Sequence, residues 1–382
     1  MSVSIGTATD VGNLLDLLNA FLRLGHALDP QYSGTGTGTV TGVIGTAASV
    51  VETITATATD ATHFAVVGSI SGSLGVATVG ALFSSAVVDF TINAGGVAFV
   101  GGDVISFVMT PPWAALETAA GSEYIWQAPG NDGLANIVVG ASRFSDVGGD
   151  YDDLRLGGFF GYSGTQTFLT QPGAMTTEIL PLLRVGSIPF WFIANGRRVV
   201  VVAKVSTNYE LAYLGLINAY ASPAQFPYPL AIGGSMNWAA GEPSSGDVRW
   251  RWSYNGNEHT GFPFGSQTYS NDATPQFKLR RPDGYWRGFA ATLASASGGG
   301  LWPYGSSGVL GMRENLDGSY PIIPILLTED SPTMFGEPDG VGFVTGYNQV
   351  SENTVTVNRI PWLVVQNIFR TTVKDYCAVK LS

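Results

Sequence analysis

The chain has 382 residues, 45% of them hydrophobic and only 12% charged, with 50 glycines. That length can bury more than one core, while the charge is about half of the roughly 25% carried by an average globular domain. The net charge of −11 and the pI near 4.6 exclude the basic stripe that a nucleic-acid-binding protein needs.

A chain this poor in charge is kept soluble by a glycan coat, or has its apolar surface covered by neighbours in an assembly. Cys377 is the only cysteine. No internal disulfide and no cysteine-based metal site can form, which points to folding in a reducing cytosol. Its alternating neighbours make it a small buried hydrophobe in a closing strand. The opening "MSVSIGTATD" lacks a basic n-region and an apolar h-region, so no signal peptide is expected.

The first element is a helix, expected from Asp10 to Asp29, with Asp10 as N-cap and Pro30 as stop. Leu14, Leu18, Phe21 and Leu22, with Leu15 and Leu28, form a broad apolar stripe. Leu17 and Leu24 widen it. Such an arc either docks on its own domain or serves as an oligomerisation helix.

Residues 31–112 read as a small Gly/Thr-rich β-domain. "GTGTGTVTGVIGTAASVVETITATATD" alternates β-branched and small residues. "GTGTGT" precedes no helix, so it is not a phosphate cradle. The apolar run from Phe64 to Val88 is broken by Gly and Ser every few positions, and reads as strands and turns rather than a membrane span. "TPPW", Thr110 to Trp113, reads as a linker.

Residues 113–382 carry turn signals every 8 to 15 residues, with Val-, Ile- and aromatic-rich runs between them. That spacing predicts an antiparallel β-sandwich or jelly roll. Asn195-Gly196 predicts a type I′ hairpin. Val199 to Ala203 is apolar at every position, as in a strand covered on both faces. Arg197, Arg198 and Lys204 flank it and are expected to form ion pairs or to reach across an interface. "SPAQFPYPL" is a stiff loop suited to docking. The predicted class is therefore all-β, with an N-terminal helical segment (1–30), the small β-domain and the larger sandwich.

Chemistry is harder to find. His26 (expected on the helix), His63 and His259 sit in no recognised catalytic arrangement, and no metalloprotease, P-loop, nucleophile-elbow or dinucleotide motif occurs. Asp146, Asp150, Asp152 and Asp153 in "DVGGDYDD" have the oxygen count for calcium but not the EF-hand spacing, so a solvated loop is expected. Glu242, Asp247 and Glu258 lie in an aromatic-rich stretch, which raises glycoside hydrolysis only weakly. The expectation is a non-enzyme without cofactor or metal. In "DVRWRWSY", alternation places Trp250, Trp252 and Tyr254 on one face. Tyr285, Trp286, Trp302 and Tyr304 follow nearby. With flanking arginines these rings form an inner sandwich face, a protein interface or a glycan contact.

Two stretches carry a resemblance. The run from "GTGTGTVTG" to "VVDFTINAGGVAFVGGDVISFVM" resembles a small β-domain of tailed-phage virion proteins, best known from lambda-type head decoration proteins. The Phe90-Thr91-Ile92 strand, Gly95-Gly96, Phe99 and Gly102-Asp103 carry that likeness. The stretch from Trp191 to Ser235, with the terminal "DYCAVKL", is similar to phage tail, collar or baseplate components. The resemblance implies a virion protein made in the host cytoplasm, forming a symmetric homo-oligomer and contacting other virion structural proteins, with no nucleic acid or membrane as partner. Head decoration is the alternative it leaves, and the aromatic surface from Trp250 to Tyr304 raises binding of a host surface glycan as another. It supplies no catalytic motif.

Overall fold

A computed structural model of the chain describes residues 1–146, 148, 151–182, 185–237, 262–263, 277–288, 315, 318–329, 333–369, 371–373 and 375–381. The fold is all-β with one α-helix, Val11–Leu22.

The larger part is built around a seven-stranded antiparallel sheet. Its order is Ser2–Ala8, Ile188–Ala194, Arg198–Val205, Asn208–Leu216, Leu230–Gly233, Phe277–Arg280 and Trp286–Gly288. Period-two alternation sends side chains to both faces, and both faces are buried. Val199, Val201 and Ala203 pack in one core with the helix and with the sheet that meanders from Ala114–Ala119 to Met175–Leu182. Val200 and Val202 pack in a second core with Leu363, Val365, Cys377 and Val379 of a C-terminal sheet. The uninterrupted valine run is thus the middle layer of three, which is why no position in it is polar.

The helix starts as expected: the Asp10 carboxylate accepts a hydrogen bond from the Asn13 backbone N–H at 2.9 Å. It ends at Leu22, short of Asp29, because the following backbone is claimed by neighbours. Gly25 N–H donates to the Thr46 carbonyl at 3.0 Å. His26–Ala27 pairs as a strand with Met109 and Thr110. Tertiary pairing overrides the helical pattern there, and His26 is a strand residue rather than a helical one.

The small β-domain closes two sheets over one core that includes Phe64, Phe90, Phe99 and Phe107. One sheet runs His26–Ala27, Val104–Thr110, Glu52–Ala58, His63–Gly68, Gly72–Thr78, and the other Thr39–Gly45, Val88–Asn93, Leu82–Ser84. The run Phe64 to Val88 is therefore strands and turns. No helix among the described residues is long and apolar enough to cross a membrane.

The "TPPW" segment is packed rather than free. Trp113 is fully buried, and its indole N–H donates to the Asn195 carbonyl at 2.9 Å. The predicted type I′ turn at Asn195-Gly196 does not form, since neither residue has positive φ and type I′ requires it at both. Instead the Asn195 side-chain oxygen accepts from the N–H groups of Arg197 and Arg198 at 2.8 and 3.0 Å, an Asx-type turn. Gly196 is needed for approach rather than for φ. A Cβ there would lie 2.1 Å from the Gly130 carbonyl oxygen.

Candidate functional site

The helix stripe faces inward. Leu14, Leu18, Phe21 and Leu22 are buried in the chain's own core, with Leu15. Its polar positions are also used within the chain. Asp16 accepts hydrogen bonds from the Gly121 N–H and the Tyr124 hydroxyl, and Asn19 accepts one from the Trp126 indole at 3.0 Å. The oligomerisation reading of this helix is therefore replaced by docking in cis.

The acidic run is not a solvated loop at its C-terminal end. Asp152 and Asp153 lie in the strand Tyr151–Phe159 and are fully buried. Asp152 takes a two-pronged contact from Arg143, at 2.7 and 2.8 Å. Asp153 accepts from the Leu182 N–H at 3.0 Å. Burial, with the nearby charges of Asp152 and Glu210, pushes its pKa well up. Adjacent strand residues point to opposite faces, so these carboxylates do not converge. Asp146 is partly exposed, and Asp150 lies outside the described residues. Among the described residues no cluster of acids, histidines or cysteine could hold a metal.

Glu242, Asp247, Glu258 and His259 also lie outside the described residues, as do Trp250, Trp252, Tyr254, Trp302 and Tyr304. His63 is exposed and pairs with Asp60 at 3.0 Å. That carboxylate is held down to about 2, mainly by the backbone N–H of Thr62. Cys377 is buried, its thiol pKa pushed up by burial.

Arg198 forms the expected ion pair, but in the interior rather than at the surface. It is fully buried, 3.4 Å from the Asp339 carboxylate, donates to the Ile193 carbonyl at 3.0 Å and touches the Met1 sulfur. Lys204 does form a half-exposed pair, with Glu352 at 2.6 Å. Arg197 donates to the Ile217 carbonyl at 2.9 Å and helps line a cavity of about 560 Å³ beside the proline loop at Pro223, Pro227 and Pro229.

The Gly-Thr run turns out to hold an anion of the chain's own. Asp103 accepts from the N–H groups of Thr35, Gly36 and Val100 at 2.9, 2.9 and 3.0 Å. These bonds, that from Val100 first, lower its pKa. A glycine-rich loop with convergent N–H groups is an anion cradle, and here Asp103 fills it.

Two surfaces remain. The first is the outer face of the small domain's sheet. Register places Val104, Ser106 and Val108 beside Thr57, Thr55 and Thr53, then Thr57 and Thr55 beside Ala65 and Val67, then Ala65 beside Val76. This face carries no charge between its ends. Val67 is 46% exposed and Val76 61%. Gly72–Thr78 is the last strand of that sheet and has neither lysine nor proline, the usual guards of an open edge. No lysine or arginine occurs between Arg23 and Arg143.

The second surface includes Trp286 and Tyr285 of the predicted aromatic set. Phe160 follows the strand Tyr151–Phe159, and its N–H donates to the Pro172 carbonyl at 2.8 Å. Its ring lies over Gly173, where φ is +63° and a Cβ would come within 2.3 Å of the ring; only glycine fits that backbone and that approach. Trp286 stacks on Phe160 at 6.2 Å and donates from its indole to the Gly173 carbonyl at 3.0 Å. The Arg280 guanidinium covers the Phe160 ring at 3.7 Å, with Tyr228 at 5.7 Å. Arg280, Phe160, Tyr228 and Asn136 line a cavity of about 170 Å³. Tyr285 is 75% exposed nearby in sequence. Phe160, Tyr228 and Arg280 are absent from the predicted aromatic set. The three lie far apart in sequence, and only the seam between two sheets joins them.

No protein-family model matches the chain, and no curated protein matches it.

Proposed function

We propose that this chain is a non-enzymatic structural component of a tailed-phage virion, working by assembly into a symmetric oligomer of the tail, collar or baseplate. The observation that carries the reading is the uncharged outer face of the small domain, with Val67 and Val76 exposed beside an edge strand that carries neither lysine nor proline. A face of valine, threonine and alanine with no charge has little to keep it apart from a second flat surface, and apolar burial rewards contact at roughly 25 cal/mol per Å². The net charge of −11 then serves the solvated remainder. Gold-labelled antibody against the chain, viewed on intact particles, tests the placement. Label on tail, neck or baseplate supports it, label along the head moves the protein to capsid decoration, and particles whose purified proteins lack the chain altogether refute a virion role.

A second reading, contact with a host surface glycan, is favoured by the aromatic and arginine group at Phe160, Tyr228, Arg280 and Trp286. An exposed tyrosine ring beside a cation, lining a small cavity, is the chemistry of a sugar-binding surface.

A further inference from the structure

Several cations of this chain end on an acid: Arg143 on Asp152, Arg198 on Asp339, Lys204 on Glu352 and Arg281 on Asp283. Arg280 does not. Among the described residues it has neither a carboxylate partner nor a hydrogen-bond acceptor, and its neighbours are the rings of Phe160 and Tyr228. Burial lowers its pKa, yet a guanidinium stays charged throughout the working range. Its Cζ lies 3.7 Å from the centroid of the Phe160 ring and the residue lines the cavity; with no acceptor among the described residues, its N–H groups can meet a planar oxyanion with two parallel bonds.

The surroundings narrow the ligand. The Phe160 ring is already covered by Arg280 and Trp286, whereas Tyr228 is 43% exposed and is the ring of the group left to offer surface to a second flat, C–H-rich body. Asn136 supplies donors and an acceptor on the cavity wall. The volume of about 170 Å³ is below that of a site for drug-sized molecules and matches one ring.

We propose that Arg280 receives the carboxylate of an acidic sugar whose ring lies in this cavity against Tyr228. The inference rests on the glycan-contact reading and adds to it the charge of the sugar. Leu216 lines both this cavity and the larger one beside the proline loop.

The test is titration of the full chain, followed by saturation-transfer NMR, with galacturonate, glucuronate and sialic acid, with neutral galactose, and with inorganic sulfate. The expected result is saturable binding of an acidic sugar, with galactose and sulfate at least about tenfold weaker, the worth of one charge-assisted contact. Arg280→Gln should weaken the acidic sugar about tenfold. Arg280→Lys should recover part of the loss, because it keeps the charge but not the fork. The lysine variant also retains a cation over Phe160, so it decides the matter if the glutamine variant does not fold. Galactose and acidic sugar binding equally, with no effect of Arg280→Gln, would overturn the carboxylate assignment and leave the glycan reading standing. Sulfate matching the acidic sugars would reduce the site to an adventitious anion contact. No binding of any sugar would overturn both readings.

Discussion

At the scale of single residues, the buried charges give the sharpest expectations. Burial alone would raise the pKa of Asp339, but Arg198 and the Asn195 side chain hold it below the usual carboxylate range. Asp339→Asn would strand the fully buried Arg198 guanidinium and should cost about 3–5 kcal/mol in urea unfolding. Joint replacement of Arg198 and Asp339 by apolar residues should cost much less. His26 and Glu210 act on the pH profile in opposite senses. Burial pushes His26 down to about 3 from its ordinary 6.5. Its contribution to stability is present above 6.5 and lost as pH falls toward 3, because the unfolded chain binds the proton first. Burial pushes Glu210 up to about 8 from 4.5. Its contribution is present below 4.5 and lost as pH rises through 8. Unfolding followed across pH should show Glu210→Gln flattening the decline between about pH 4.5 and 8 while leaving the loss below pH 4.5 in place; an unchanged slope between 4.5 and 8 would contradict the assignment. Neither behaviour was legible in the sequence, where Glu210 and Arg198 look like ordinary strand-end charges. Burial is a property of three stacked layers, and no local pattern announces it.

At the scale of elements, the apolar run Val199 to Ala203 announced a strand covered on both faces, and alternate residues of it do enter two different cores. The helix start was equally legible, because the N-cap is a local interaction of Asp10 with Asn13. The helix end was not. The backbone after Leu22 is claimed by Thr46 and by Met109–Thr110, and those partners are remote in sequence. The stripe also showed only that a face is apolar, not what covers it. Leu18→Ala should therefore cost about 2–5 kcal/mol, as for a leucine lost from a close-packed core, and should leave the oligomeric state of the folded protein unchanged. A change in sedimentation without a loss of stability would return the helix to the interface. Asn195-Gly196 correctly marks a turn of the wrong type. Gly196→Ala should destabilise the fold through its clash with the Gly130 carbonyl, with the fall in melting temperature measured by calorimetry.

At the scale of the whole molecule, the all-β class with one helix followed from turn spacing and alternation. The functional surfaces followed only in part. Of the predicted aromatics, Trp286 joins the group at Arg280, but its partners Phe160 and Tyr228 come from other elements. Nothing in their own neighbourhoods distinguishes them from core rings. The uncharged face of the small domain was legible as composition, a long stretch without lysine or arginine, while which residues share that face required the register of its strands. The account holds that this face is a contact surface between copies of the chain. Sedimentation velocity of the purified chain over a range of concentrations, beside Val67→Lys and Val76→Lys, tests that most directly. The account predicts a concentration-dependent oligomer for the unaltered chain and a monomer of unchanged fold for the lysine variants. A chain that stays monomeric throughout, or an oligomer indifferent to both lysines, would contradict it.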